Sequence, residues 1–325
     1  MFSNAEHPAC YAGTPLEEGN KTLRCCYFVF YNGCHMGIFD SIKKFFGQEK
    51  LDVQKRFELK RAAISGTMSR FYLAEERATK KTFGLKIVDM KKLAEVDLRF
   101  KGIKKPLEGE MAVQFDHPYI VKTYEYGVTT KDENYLLMEY LGGGGLNVAI
   151  ASQPERLEGK RLYYLQQAAE AIAAVHEKGF IHRDICPRNF ILTRDGKVLK
   201  LTDFGLTVPA TPQFMQAGNR TGTPNYMAPE LVRRKPTNIQ LDVFAFGVTA
   251  YETMTGQLPW ASGTDGRAAL SHDSAPRDIT TLRPQIHPLL ARAIHQCIEP
   301  DQSKRFPSMR EFLQLVSTVK HEDVR

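Results

Sequence analysis

The feature that most constrains this chain is a pair of polar loops flanking one short hairpin. Ile181–Phe190 reads IHRDICPRNF and places Asp184 and Asn189 five residues apart on a loop. Ile191–Arg194 and Lys197–Leu201 then read as strands around Asp195-Gly196, a dipeptide suited to a type I′ turn. Just beyond comes Leu201-Thr202-Asp203-Phe204-Gly205, with Asp203 19 positions after Asp184. Two carboxylates and an amide at the ends of one hairpin make an oxygen-rich site suited to Mg2+ and polyphosphate. A lone D-F-G arises often by chance; both loops in this order are a strong signal.

The surrounding pattern divides into two parts. Phe57–Ile64, Met68–Glu75 and Thr82–Asp89 read as three strands, followed by a basic, partly helical stretch, Lys104–Phe115. Two more strands are predicted around Thr123–Val128 and Tyr135–Tyr140. After Gly142–Gly145 the periodicity becomes helical. Leu162, Leu165, Ala169, Ile172 and Val175 mark one face of a long helix, and Val243–Thr255, Pro288–Ile298 and Ser308–Val319 supply others. The prediction is an α+β, two-lobed fold. A small antiparallel β-sheet N-lobe with one main helix (about 57–141) meets a larger, mainly helical C-lobe (about 142–319) at a glycine-rich hinge.

Length agrees with two lobes, since 325 residues at roughly 150 per domain gives about two. A hydrophobic share of 42% excludes a disordered or fibrous chain. No apolar run approaches the ~18 residues of a membrane-spanning helix. Two of the 6 cysteines, Cys186 and Cys297, lie beyond residue 34, too few for a disulfide framework, so a reducing, cytoplasmic setting is expected. The net charge of +7 comes in short clusters such as Lys91-Lys92, Lys104-Lys105 and Arg233-Arg234-Lys235. These read as a solvated basic face, and no nucleic-acid partner is expected.

Residues 1–35 lack periodicity and read as an unstructured extension. Residues 36–50 read as an amphipathic helix segment. In Gly37–Gly47, Ile38, Phe39, Ile42, Phe45 and Phe46 share one helical face. Such a helix can lie on a membrane surface or pack on a partner or the following domain, and both readings stay open. Met36–Ser41 also matches an acylation pattern, which matters only if translation starts at Met36.

On its two polar loops the chain resembles the eukaryotic-type protein kinase family, over about residues 57–319. The resemblance implies an ATP- and Mg2+-dependent enzyme acting on a protein substrate. It makes Asp184 the catalytic-loop aspartate, which accepts or orients the substrate hydroxyl, and Asn189 and Asp203 the metal-holding residues. Lys86, in Phe83-Gly84-Leu85-Lys86-Ile87-Val88, takes the place of the strand lysine that contacts the α- and β-phosphates. Counting back from Asp116-His117-Pro118 by the family's spacing gives Glu108 as its ion-pair partner, with Glu110 as the alternative. Met138-Glu139-Tyr140-Leu141 resembles the adenine-binding hinge, with Met138 as gatekeeper. Ile64, Gly66, Ser69 and Phe71 fall along the phosphate-covering loop.

Gly222–Glu230 resembles the end of an activation segment of the serine/threonine type. Asp242 matches the aspartate that braces the catalytic loop, and Arg305 the buried partner of Glu230. Arg183 precedes the catalytic aspartate; in family members of this type that arginine meets a phosphorylated residue. Of Thr207, Thr211, Thr221 and Thr223, the reading favours Thr221 for modification and gives Thr223 contacts inside the active site. His182 reads as a packing histidine, His117 as a capping or loop residue, and Trp260 as core or docking surface.

Two departures stand out. Ile64-Ser65-Gly66-Thr67-Met68-Ser69 keeps only the middle glycine of G-x-G-x-x-G. Cys186 stands where serine/threonine kinases carry a lysine, and Arg188, two residues on, is the candidate replacement cation. They keep open a second reading, a nucleotide-binding pseudokinase scaffold. The joint presence of Lys86, Glu108, Asp184, Asn189 and Asp203 favours the enzyme.

Overall fold

The computed structural model describes residues 49–65, 69–98, 103–218, 220–260 and 268–324. The readings for residues 1–35 and for 36–48 of the 36–50 segment, the acylation pattern at Met36–Ser41, and Gly66–Met68 lie outside the described residues. The first half of the described chain forms an antiparallel sheet of β1 (Phe57–Ser65), β2 (Ser69–Glu76), β3 (Thr82–Val88), β4 (Thr123–Val128) and β5 (Asn134–Glu139), in the order β1-β2-β3-β5-β4. β3 is buried from Gly84 to Val88, because both of its faces are covered. Alternation along the strand separates them. Leu85 and Ile87 join Phe57, Ala74, Tyr135 and Leu137 on one side. Val88 joins Leu136, Met138 and Met111 on the other, and that is the face from which Lys86 projects.

The helical part of this half is divided. Instead of one stretch over Lys104–Phe115 there are α1 (Met90–Leu98) and a short α2 (Glu108–Ala112). Pro106 disfavours a helical Lys105, and Leu107, extended at ψ 149, is the N-cap from which α2 starts. Met111 and Ala112 anchor α2 in the core.

Gly142–Gly145 is not an open hinge but a strand, β6, paired with β8 (Phe190–Thr193). A Cβ at Gly143 would lie 2.2 Å from the Thr193 carbonyl oxygen, so glycine serves close approach here. α3 (Leu146–Ser152) and α4 (Arg161–Glu177) follow, α4 burying Leu162, Leu165, Ala169, Ile172 and Val175. β7 (Phe180–Ile181) leads into the polar loop, β8 and β9 (Leu199–Leu201) form the hairpin, and β10 (Val208–Pro209) pairs with β7.

The hairpin turn differs from expectation. Gly196 N–H donates to Thr193 O (2.9 Å), and Gly196 has φ 63 whereas Asp195 is not among the residues with positive φ. That is a type I turn followed by a left-handed glycine; type I′ needs positive φ at both central positions. Asp195 instead accepts from Thr193 Oγ1 (2.6 Å) and Lys197 N (3.1 Å), which favours the wider turn.

α5 (Gln240–Thr255) is buried almost all round and stops at Gly256, φ 73. α6 (Pro288–Cys297) and α7 (Met309–Val316) pack beside it, with the Phe246 and Phe312 rings edge-to-face at 4.8 Å. Trp260 is core, stacked on Phe244 at 5.8 Å. Among the described residues no helix is long and apolar enough to cross a membrane.

Candidate active site

The polar loop is held from beneath by Asp242, in the first turn of α5. Its fully buried carboxylate accepts from the backbone N–H groups of His182 (2.7 Å) and Arg183 (2.8 Å), and contacts His176 Nε2 (2.9 Å). Burial opposes ionisation, but His176 and the loop N–H hold Asp242 below the usual carboxylate range. This bracing supports strain, for Arg183 (φ 69) and Asp203 (φ 66) are both left-handed without being glycine. Such residues cost roughly 1–3 kcal/mol each and persist where their surroundings fix them.

Asp184 is half-buried and is met from two sides. Asn189, in a single 3-10 turn over Pro187–Asn189, donates Nδ2 to Asp184 Oδ2 (3.0 Å) and to Asp184 O (2.6 Å). Thr223 donates both N–H (2.9 Å) and Oγ1–H (2.7 Å) to Asp184 Oδ1. Gly222 allows this approach: at φ 126, with the Arg183 carbonyl 2.8 Å from where a Cβ would sit, no other residue fits without strain.

Lys86 Nζ lies 2.6 Å from Glu108 Oε1 and 2.8 Å from Asp203 Oδ1. Burial pulls the ammonium pKa down, but the two carboxylates more than offset this and hold it above its ordinary value. Lys86 in turn keeps Asp203 ionised below the usual range, against its desolvation. Glu110 does something else: its Oε2 accepts from Leu107 N (2.8 Å), capping α2. Phe204 is stacked on Phe115 (5.0 Å) and meets His182 edge-on (5.2 Å), which confirms His182 as a packing residue.

The residues read as nucleotide-binding are spread across neighbouring strands of the sheet. Ile64 pairs with Phe71 across β1 and β2, Ser69 opens β2, and Phe71 pairs with Lys86 across β2 and β3. Met138 is buried at the end of β5, and Leu141 packs on the main core. The Glu139 carboxylate is held by Lys200 Nζ (2.6 Å) and Lys122 N (2.7 Å). The Phe71 ring fills the space above Gly84, 2.6 Å from the position of a Cβ there, with Met138 Cγ at 3.1 Å.

Cys186 is buried with Sγ 3.7 Å from Thr223 Oγ1, and burial followed by the Asp184 charge pushes its thiol up to about 11. It is a neutral thiol at pH 7. Exposed Arg188 donates to Thr223 Oγ1 (3.1 Å), so Thr223 links it to Asp184. Thr221 is only 2% exposed, and a phosphate can be accepted there only after the segment moves. Arg183, also buried, is pulled down to about 10 by desolvation, partly countered by Asp242. Glu230 and Arg305 form a bidentate pair at 2.8 and 2.9 Å. His117 Nδ1 accepts from Tyr119 N (3.2 Å) as a loop cap.

Lys105 departs from the solvated-face reading of Lys104-Lys105. It is 8% exposed, and Nζ donates to Gly205 O at 2.8 Å. Consecutive lysines carry no sign of which one is buried; only Pro106 and the nearby α2 hint at a fixed path. Phe115, His176 and the Phe71–Gly84 pair also went unsingled by the sequence, since each acts through a partner distant in the chain.

The sequence has counterparts among known proteins. A family model described as the protein kinase domain matches residues 57–316. Human ribosomal protein S6 kinase alpha-3 is 31% identical over 225 residues, 69% of this chain and 30% of that protein. A probable serine/threonine-protein kinase of Clostridium acetobutylicum is 31% identical over 219 residues, 67% of this chain and 33% of that protein. The chain belongs to the protein kinase family. The match spans about a third of the length of these relatives.

Proposed function

We propose that this chain transfers the γ-phosphoryl group of ATP, with Mg2+, to serine or threonine hydroxyls of a protein substrate. The observation that carries the reading is the convergence of Glu108 and Asp203 on one charged lysine, beside a braced Asp184. The side chain of Asp203 is 41% exposed and can turn one oxygen outward, and Asn189 adds an amide oxygen. Such hard donors suit Mg2+, which takes one or two carboxylates and completes its shell with phosphate oxygens and water. Among the described residues no cluster of three or more His, Cys, Asp or Glu offers a metal site of another kind. When bound, the metal would neutralise charge on the β- and γ-phosphates.

The chain's own residues do the rest. Lys86, kept protonated, orients the α- and β-phosphates. Asp184 Oδ2 accepts the proton of the attacking hydroxyl, while Thr223 occupies Oδ1 and fixes the carboxylate plane. Arg188 supplies the cation that Cys186 cannot, and phosphorylation of Thr221 is proposed to order the segment against Arg183. Two buried free thiols, Cys186 and Cys297, fit a reducing compartment, and we place the protein in the cytoplasm. Incubation with Mg·ATP and a generic protein substrate, with Asp203→Ala as control, should give phosphoserine or phosphothreonine. Nucleotide binding without transfer would make the chain a pseudokinase scaffold and overturn the reading.

A further inference from the structure

We infer that Lys105 is a positioning residue: it ties the Asp203-Phe204-Gly205 turn to the start of α2, so that Asp203 and Glu108 converge on Lys86. The inference rests on the phosphotransfer reading and adds a residue to it.

The argument begins with cost. Burying an ammonium group is expensive unless strong acceptors surround it. Lys105 is nevertheless 8% exposed, and its Nζ reaches the Gly205 carbonyl, 100 residues onward, at 2.8 Å. Both ends of this contact are anchored next to the site. Lys105 lies three residues before Glu108, and the intervening path is stiff. Proline fixes φ at Pro106, and Leu107 N is capped by Glu110 Oε2 at 2.8 Å. Gly205 lies two residues after Asp203, and its own N–H donates to Asp203 Oδ1 at 3.2 Å.

A closed ring results. Lys86 bonds Glu108 (2.6 Å); a short capped span joins Glu108 to Lys105; Lys105 holds Gly205 (2.8 Å); Gly205 holds Asp203; and Asp203 returns to Lys86 (2.8 Å). Besides the Lys86 pairs, the stack of Phe204 on Phe115, just after α2, joins the turn to this helix. Lys105 adds a further tie, from its side chain to the backbone of the residue after Phe204. Phe204, stacked on Phe115, supplies the apolar anchor of the turn, and Lys105 supplies the polar one. Because Gly205 contributes its carbonyl, no side-chain substitution at that residue can remove the tie; only Lys105 can be varied cleanly.

Lys105→Met keeps length and apolar stem but loses the donor, and Lys105→Arg keeps a cation able to reach a carbonyl. Two readouts separate the tie from plain stability. Hydrogen–deuterium exchange of the purified chain should show residues 203–206 and 108–112 exchanging faster together in Lys105→Met, and near the parent in Lys105→Arg. In kinetics, Lys105→Met should lower kcat on the order of tenfold, the scale of losing a charge-assisted hydrogen bond such as that to Gly205 O. It should also raise the Mg2+ concentration for half-maximal rate, with KM for the protein substrate unchanged. Unchanged exchange in both segments overturns the inference whatever the turnover. So does a kcat loss matched by a fall in folded fraction, with the Mg2+ midpoint unmoved. A parent chain that transfers no phosphate overturns the kinase reading alone, while the exchange data still decide the tie.

Discussion

Replacing Arg305 by methionine tests whether the C-terminal half depends on one buried ion pair. The Arg305 side chain has no exposed surface and that of Glu230 has 5%. The guanidinium donates to both Glu230 oxygens, to Gln240 O (3.0 Å), Glu299 O (2.7 Å) and Pro300 O (3.2 Å), and lies 4.8 Å over the Phe244 ring. Methionine fills most of the volume but strands a buried carboxylate and three carbonyls. Breaking such a pair from one side costs about 3–5 kcal/mol. At roughly 2–4 °C per kcal/mol for a domain of this size, the melting midpoint should fall by about 6–20 °C. The double variant Glu230→Gln/Arg305→Met removes both charges and should be more stable than Arg305→Met alone, since no unpaired charge is left. Denaturant unfolding followed by tyrosine and tryptophan fluorescence reads both differences. An Arg305→Met protein within about 1 kcal/mol of the parent would refute the reasoning. So would a double variant no more stable than the single one.

Four further outcomes are expected. Asp184→Asn should lower kcat by about 10²–10⁴ with only a small fall in the melting midpoint, because an amide oxygen can still accept from Thr223 and Asn189 keeps its bond to the carbonyl of residue 184 (2.6 Å) although it loses the one to Oδ2; near-full turnover would remove the role given to Asp184. Arg188→Ala should lower kcat far more than it raises KM for ATP, with partial rescue by Cys186→Lys; steady-state kinetics with kcat unchanged would show that the loop works without this cation. Gly84→Ala should weaken ATP binding, because the new Cβ meets Phe71 at 2.6 Å, and Phe71→Val should restore it; calorimetric titration with Mg·ADP checks both. Cys186, pushed up to about 11 by burial and then by Asp184, favours the neutral thiol in the fold. That contribution is complete below the unfolded-state thiol pKa and is lost as pH rises through about 11, so peptide mapping at pH 8 should find Cys186 unalkylated until the protein is unfolded.

How much of this was legible in the sequence follows from where each residue finds its partner. Asp184, Asn189 and Asp203 could be read directly, because one hairpin fixes their separation and backbone geometry does the rest. Glu108 was legible only through family spacing; physics alone could not choose between it and Glu110, since both fall in the first turn of α2. The structure separates them by direction, Glu108 toward Lys86 and Glu110 back along its own helix to Leu107 N. Gly142–Gly145 was misread for a related reason. A glycine run signals both freedom and close approach, and only the position of Thr193 O against Gly143 decides between them. Lys105 is the sharpest case. Hydropathy scores a lysine by its own charge, whereas its burial depends on the acceptors it meets, among them a carbonyl 100 residues away. A carbonyl is present at every residue and leaves no mark in the sequence. Side chains that pair with side chains therefore leave two traces in the sequence, while those that pair with backbone leave one. In a site built on a braced loop and a strained turn, the single-trace contacts are the ones that hold the backbone in place.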